Sequence, residues 1–415
     1  MNAPRTHELA QRYRDLGRGP VSTESVTSAA YFEAEREAVF KRSWLMIGRE
    51  HDVANPGDYL VKRIAPWNAT VVVARDKQGR LHAMHDVCPH RGMHVCGKDQ
   101  RGHRRGGTFT CQFHGWVFGL DGRVLDVPDR DLYYDLDTTQ LRMPPLAVDT
   151  WEGFIFVHWQ AEPAQSLKDF LGELYDGYGG YFDDGFFKKA GGYVADLAIN
   201  YKFYLDSSVE LLHAGYTHIQ NNTGQNAKSG TSLYLGPQWL RLGKRHRAVG
   251  VPLGIGERDL APMEALAFKY GGTTTPYDPR VRERPLPPAL NVAKADAWAF
   301  DVVELFPNQV LFLSAPLMGF ISLWPSAQDR CRVEIEVYMA PPANAAERVA
   351  IEYGLLSIRD VIREDLNMAE GCTDALSSGV LPQIQLSDQE MAVRHSYQVI
   401  ETAVRTYLAE TGQSL

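Results

Sequence analysis

The hydrophobic pattern changes period as the chain proceeds. Residues 25–43, SVTSAAYFEAEREAVFKRS, place Tyr31, Phe32, Ala34, Ala38 and Val39 at helical intervals. Most of the charges there, Glu33, Arg36, Glu37 and Lys41, fall on the other face, so the spacing predicts an amphipathic helix. From Trp44 to about Trp159 the texture becomes short β-rich runs: DYLVKRI, ATVVVARD, LHAMHDV, GTFTCQF and GFIFVHW. Turn signals such as Asp76-Lys77-Gln78-Gly79 and Asp121-Gly122 separate them, which predicts a small β domain. After Gln160 the pattern is mixed. SLKDFLGELYDGYGGYF reads as a helix ending in a Gly-rich turn, YVADLAIN as a strand, and NYKFYLDSSVELLHAGYTHIQ as a long helical stretch. Residues 236–292 carry many Gly, Pro and Arg with little periodicity and are expected to be loops. VELFPNQVLFLSAPLMGFISLWPSA and CRVEIEVYMAP read as strands, followed by long helices over AAERVAIEYGLLSIRDVIREDLNMAEGCTDAL and QEMAVRHSYQVIETAVRTYLAE. The second part is therefore expected to be of α+β character.

At 415 residues the chain is too long for one ordinary domain, and two is the natural expectation. The borders read as an N-terminal helical segment over 1–43 that packs on the second domain, the β domain over 44–160, and the α+β domain over 161–415. A net charge of −8 argues against nucleic acid or an anionic membrane as the main partner. No apolar run reaches the length of a membrane span, and the polar start MNAPRTHELAQRYRD does not read as a signal peptide. Five cysteines, Cys88, Cys96, Cys111, Cys331 and Cys372, are too few and too odd for a disulfide framework. A reducing cytoplasm is the expected compartment.

Chemistry concentrates in residues 85–122, where two short pairs stand out, Cys88-Pro-His90 and Cys111-Gln-Phe-His114. A 2Fe–2S cluster of the Rieske type takes two thiolates on one iron and two imidazoles on the other. Each pair here could supply one ligand to each iron from its own loop. Two Cys and two His are also a legitimate zinc set. The alternating order, with Gly-Trp after the last His, favours the cluster, because ordinary zinc fingers pair Cys with Cys and His with His.

A second constellation lies in the helical stretch, where His213 and His218 stand five apart, preceded by Asp206 and Glu210. Positions 206, 210 and 213 share a helix face, whereas His218 lies well off it. Both His can reach one metal only if the helix widens or breaks between them, and Gly215 is placed for that. Two His and a carboxylate make the facial triad of non-haem Fe(II) oxygenases, with positions left open for O₂. The acidic pair Glu364-Asp365 on the long helix is the best candidate source of the carboxylate.

With these motifs assembled, CPHRGMHVC, CQFHGWVFGLDGRVLDVPD, NYKFYLDSSVELLHAGYTH and REDLNMAE, the chain resembles the Rieske non-haem iron oxygenases. More narrowly, it resembles the large, alpha-type terminal oxygenase subunit of the aromatic-ring-hydroxylating group, over nearly its whole length. The resemblance implies an α+β fold, with a small all-β Rieske domain inserted before a catalytic domain of helices and antiparallel sheet. It implies that Cys88, His90, Cys111 and His114 bind the cluster and that His213, His218 and Asp365 bind a mononuclear Fe(II). It also implies a head-to-tail homotrimer, with or without a small β subunit, in which the cluster of one subunit faces the iron of the next. Glu210 would then bridge His114 of one subunit and His213 of its neighbour. Electrons would come from NAD(P)H through a separate reductase, with or without a ferredoxin.

The chain departs from the common pattern at the bridge, where Asp is usual and Glu210 stands, and at Asp206-Ser207, which replaces the usual Glu-Asn. The loop between His90 and Cys111 is also longer than usual. Glutamate at the bridge resembles a minority branch that oxidises quaternary amines at a C–N or N-methyl group. The leading expectation is thus hydroxylation of an aromatic or other cyclic compound, by mono- or dioxygenation. The alternatives are a quaternary-amine monooxygenase and, outside enzymes, a Rieske electron carrier.

Lesser features carry expectations too. Arg91, Lys98, Arg101, Arg104 and Arg105 form a basic edge that could dock an acidic electron donor or be an ordinary solvated loop. Cys96, Cys331 and Cys372 read as buried free thiols, and His85, His94 and His103 receive no metal. Asp206 could support the iron or be a helix-surface acid. The substrate pocket is expected between helix 203–219, strands 305–324 and loops 220–260. Phe203, Leu212, Leu311, Leu313, Phe320 and Trp324 are its apolar candidates, while Arg241, Lys244, Arg245 and Arg247 read as a solvated loop.

Overall fold

The computed structural model describes residues 8–97, 100–182, 185–218, 237–252, 262–270, 283–296 and 298–415. They divide into two compact units, Arg36–Tyr175 and the chain up to Glu35 together with Asp176–Leu415.

In the Arg36–Tyr175 unit the alternating runs pair as the period of two requires. Strands Leu45–Arg49, Phe154–His158, Pro145–Trp151, Leu81–His85, Ala69–Arg75, Asp58–Ile64 and Gln100–His103 follow one another across an antiparallel sheet. A three-stranded ribbon, Thr108–Thr110, Val117–Gly119 and Val124–Asp126, stands beside it. Tyr59 and Val61 from one strand and Val72 and Ala74 from the next point into a shared core with Phe109, Trp116, Phe118 and Met143. Cys88 and Cys111 belong to that core, so the apolar packing that folds the ribbon onto the sheet also fixes both motif loops.

The other unit is built on a second antiparallel sheet. Its order is Lys188–Leu197, Arg330–Met339, Leu317–Ala327, Gln309–Ser314, Trp298–Leu305, Arg247–Pro252 and Trp239–Leu242. Helix Tyr201–Val209 lies between this sheet and the long helices Ala345–Ser377 and Met391–Thr411. Most of its side chains are buried, and several of the polar ones among them are paired. Lys202, 1% exposed, meets the fully buried Glu35 carboxylate at 2.6 Å, and the Tyr201 hydroxyl donates to the same carboxylate. Lys202 Nζ also donates to Ser25 O at 3.0 Å and Asn200 Nδ2 to Val26 O at 3.1 Å, tying the N-terminal segment to this helix. Helix Ala345–Ser377 starts where Asn344 Oδ1 accepts from Glu347 N–H at 3.0 Å and Glu347 Oε2 accepts from Ala343 N–H at 2.6 Å. The α+β expectation, a β domain followed by helices on an antiparallel sheet, is borne out.

Several elements differ from the sequence reading. The helix expected over 25–43 is split into Glu24–Thr27, Ala29–Ala38 and a 3₁₀ turn at Phe40–Arg42, with Ser28 extended between the first two. The helix expected from Ser166 breaks at Gly172, whose φ of +57° no helix accommodates. Residues 236–292 are not all loop. They contain strands Trp239–Leu242 and Arg247–Pro252 and helix Pro262–Lys269; the two strands pair as a hairpin, and Arg247–Pro252 joins it to Trp298–Leu305, a tertiary contact that local composition does not encode. Arg247, expected in solvent, is buried and paired with Glu304. Cys372 is exposed rather than buried, whereas Cys96 and Cys331 are buried free thiols.

Candidate metal centres

The two motif loops of the Arg36–Tyr175 unit share one backbone design. Cys88 N–H donates to Met93 O at 2.8 Å and Gly92 N–H to Cys88 O at 2.9 Å. Cys111 N–H donates to Trp116 O at 2.9 Å and Gly115 N–H to Cys111 O at 3.0 Å. Each glycine closes the loop at positive φ, +76° at Gly92 and +74° at Gly115. The repeated Cys-x-x-x-Gly spacing is the sequence signal behind this twofold likeness; the sequence reading takes in Gly115 of the second loop but not Gly92 of the first. The loops bring the His90 and His114 rings to 4.5 Å between centroids and bury both Cys88 and Cys111. Burial pushes the Cys88 thiol up, and the Cys111 side chain beside it adds to the push. His90 stacks on Trp116, nearly parallel at 7°, and desolvation followed by the charge of His114 holds its imidazole below the ordinary range. Asp86, fully buried, accepts from the N–H groups of Val95, Cys96 and Gly97 at 2.8–3.0 Å and pins the first loop from behind.

The neighbouring histidines are occupied elsewhere. His94 lies 2.9 Å from Asp86 O, His103 pairs with Asp58 at 2.8 Å, and His85 meets the edge of Trp159. In the basic edge, Arg101 is paired with Asp52 at 2.9 Å, while Arg91 and Arg104 lie over Phe113 and Tyr59. Arg105 is exposed, and Lys98 lies outside the described residues.

The second constellation forms where helix Tyr201–Val209 stops. The break comes at Glu210, whose backbone is extended (φ −117°, ψ 150°), before both His rather than at Gly215 between them. Glu210 therefore shares no helix face with Asp206. Its carboxylate caps the break instead: Oε2 accepts from Leu212 N–H at 2.5 Å and His213 N–H at 3.3 Å, and Oε1 lies 2.5 Å from His213 Nδ1. A single turn, Ala214–Thr217, then carries the chain to His218. That turn brings the two Nε2 atoms to 3.3 Å, and Asp365 Oδ1 lies 3.5 Å from one and 3.3 Å from the other. Glu364 Oε2 lies 2.8 Å from Nδ1 of His218.

Asp365 belongs to the buried stripe Ile362, Asp365, Leu366 and Ala369 of its helix. A carboxylate in an apolar stripe at helical spacing is the sequence signal that separates it from Glu364. Burial pushes its carboxyl up to about 7. The Glu210 contact raises His213 against the opposing effect of burial, whereas burial holds His218 down. Asp206 is neither an iron-side group nor a surface acid; its carboxyl is buried against Glu304, Arg247 and Tyr397 and pushed well above the ordinary range by desolvation.

Beside these three side chains opens a cavity of about 260 Å³. Phe300, Val302, Phe312, Ile321, Ile335 and Val337 form its sheet wall, and Ile358, Val361 and Ile362 its helix wall. None of the six apolar candidates named from the sequence lines it. Leu311, Leu313, Phe320 and Trp324 alternate onto the other face of the same strands. Of the loops 220–260 expected to close the pocket, residues 220–236 and 253–260 lie outside the described residues, and Val251 reaches the cavity.

The family model described as the ring hydroxylating alpha subunit (catalytic domain) matches residues 186–406, and that of the Rieske 2Fe–2S domain matches residues 43–140. The chain belongs to the ring-hydroxylating alpha-subunit family. The carnitine monooxygenase oxygenase subunit of Acinetobacter baumannii is 31% identical to it over 195 residues, 46% of this chain and 50% of that protein. Benzene 1,2-dioxygenase subunit alpha of Pseudomonas putida is 33% identical over 156 residues, 37% of this chain and 33% of that protein. The chain spans half or less of the length of these curated relatives. The crystal structure of the quaternary ammonium Rieske monooxygenase CntA shares the fold, with a TM-score of 0.71 over 97% of this chain and 99% of that one at 19% identity.

A Rieske cluster and a mononuclear iron are the cofactors of this alpha-subunit family, and the residues present fit both. Buried His90 Nδ1 and Asp365 Oδ1 have no hydrogen-bond partner, as atoms awaiting a metal would not. Three donors each about 2.1 Å from one ion and at right angles to one another sit about 3 Å apart, close to the 3.3–3.5 Å between His213, His218 and Asp365. Two unprotonated Nε2 atoms at that separation repel unless something cationic lies between them.

Proposed function

We propose that this chain is the terminal oxygenase component of a Rieske system that uses O₂ and electrons from NAD(P)H to hydroxylate an aromatic or other cyclic organic compound. The observation that carries the reading is the cavity. Among the described residues its wall is mostly aliphatic and phenylalanine, with the hydroxyls of Ser207, Ser208, Ser314 and Ser357, and its only carboxylates, Glu210 and Asp365, are turned to the histidines.

When bound, the cluster supplies electrons one at a time and the Fe(II) supplies O₂ activation. Cys88, His90, Cys111 and His114 would hold the cluster, and His213, His218 and Asp365, which border the cavity, would hold the iron. The apolar wall excludes water and orients the ring by shape. In this reading the Arg36–Tyr175 unit is the electron-receiving domain and the remainder the catalytic one. Electrons arrive from a separate reductase, directly or through a ferredoxin. Subunits pair head to tail in a homotrimer, alone or with a small β subunit, and Glu210 links His114 of one subunit to His213 of the next.

A second reading, oxidation of a quaternary amine, is favoured by Glu210 and by the likeness to the carnitine enzyme. A quaternary cation calls for an aromatic cage or free carboxylates, and the described wall offers only the Phe300 and Phe312 rings, 5.8 Å apart. A single turnover separates the readings. Chemically reduced protein is mixed with ¹⁸O₂ and a panel of aromatic acids, phenyl ethers, polycyclic hydrocarbons and quaternary amines. A ring product carrying the label supports the proposal, and aldehyde released from a quaternary amine replaces it with the second reading.

A further inference from the structure

We propose that Glu364 is a positioning residue for the mononuclear iron, acting through His218. The inference rests on the reading of His213, His218 and Asp365 as the iron's ligands. Glu364 and Asp365 are consecutive on helix Ala345–Ser377, yet they reach opposite edges of one imidazole. Glu364 Oε2 lies 2.8 Å from Nδ1 of His218, and Asp365 Oδ1 lies 3.3 Å from its Nε2. A carboxylate at Nδ1 accepts a hydrogen bond, so the ring proton sits there and the Nε2 lone pair faces Asp365 and His213.

Glu210 does the same for His213, at 2.5 Å. Both imidazoles are thus held in one tautomer by a carboxylate behind them, and both present Nε2 to the same point. The Glu364 and His218 side chains are 14% and 10% exposed, so water does not easily replace the bond. A carboxylate behind a ligating imidazole fixes its orientation and raises its basicity, and losing it weakens metal affinity by roughly 10- to 100-fold. Asp365 is the ligand that burial betrays, whereas Glu364 beside it looks like an ordinary flanking acid until the His218 contact is seen.

The test measures Fe(II) affinity, not turnover. Full-length protein with its cluster intact is stripped of mononuclear iron by a chelator, and Fe(II) binding is then followed by competition with that chelator. Visible bands of Co(II) at the same site report ligand geometry. Glu364→Ala is expected to lower Fe(II) affinity by roughly 10- to 100-fold and shift the Co(II) bands, with the cluster absorbance unchanged. Glu364→Gln keeps an acceptor without the charge and is expected to fall between Glu364→Ala and the parent, with a smaller band shift. A purely structural pair would change stability alone. If Glu364→Ala does not fold, Glu364→Gln decides on the same two readings. Parental affinity and bands in the folded variant, with Asp365→Ala binding poorly, overturn the positioning role alone. Parental affinity in Asp365→Ala overturns the iron site itself.

Discussion

Glu210 grips His213 from inside its own chain, with one carboxylate oxygen at the ring nitrogen and the other on the backbone N–H groups of Leu212 and His213. The extra methylene relative to aspartate lets one side chain cap the helix break and still reach the imidazole. The carboxylate is also the group proposed to meet His114 of a neighbouring subunit. Replacing Glu210 with Ala should weaken Fe(II) binding as expected at Glu364, so that both metal sites fill only with Fe(II) in excess, while turnover coupled to the reductase falls on the order of 100-fold or more even then. Metal content and the yield of product per NAD(P)H measure the two effects separately, and retained coupled turnover would sink the bridging role.

The glycines that close the cluster loops differ in what surrounds them. A Cβ at Gly115 would sit 3.0 Å from Pro128 Cγ, whereas a Cβ at Gly92 would meet nothing within 4 Å. Both positions have positive φ, so alanine costs about 1 kcal/mol at either, and Gly115→Ala adds a clash. Gly115→Ala should therefore lose more thermal stability and more cluster absorbance than Gly92→Ala. Equal losses would mean that the ribbon yields at Pro128.

The buried pair Lys202–Glu35 holds the N-terminal segment to the helix that ends at Glu210. Lys202→Met leaves the carboxylate unpaired and should cost about 3–5 kcal/mol. Adding Glu35→Leu should recover much of that loss, because no buried charge is then left over. Denaturant unfolding of the single and double variants checks the order.

How much of this was legible in the sequence depends on the range of the interactions. The cluster motif could be read directly because its ligands and turn residues sit within five positions of each other in each loop. Strand Asp58–Ile64 coincides with the run DYLVKRI because alternation is local. The break at Glu210 was misplaced, because nothing in VELLHAG signals a stop; the stop is made by the Glu210 side chain folding back on the next N–H groups. The hairpin of Trp239–Leu242 and Arg247–Pro252 is not legible because it is anchored, through Arg247–Pro252, to a strand some fifty residues on and by the Arg247–Glu304 pair. The pocket wall was assigned to the wrong alternate residues, since both faces of the central strands are apolar and only the fold decides which is covered by helix Tyr201–Val209.

A pH dependence follows from His395. Burial, reinforced by Arg247, pushes its imidazole down to about 4 from the ordinary 6.5. The neutral ring lies 2.9 Å from Gly243 O and donates to it. Between those two values the unfolded chain takes up a proton that the folded chain does not. Stability contributed by His395 is therefore complete above about 6.5, falls as pH drops through that window, and levels off below about 4, a loss of about 3 kcal/mol at most. His395→Gln keeps a donor for Gly243 and should flatten this part of the pH–stability curve. An unchanged slope in urea unfolding would show that other groups set it.

The central claim is that one chain holds both an iron–sulfur cluster and a separate iron, and counting metals tests it most directly. Iron and acid-labile sulfide are measured on the purified parent and on His213→Ala. Three irons and two sulfides per chain are expected for the parent, and two of each for the variant. Two irons in the parent, unchanged by His213→Ala, would make the protein an electron carrier. Zinc without sulfide would overturn the cluster as well.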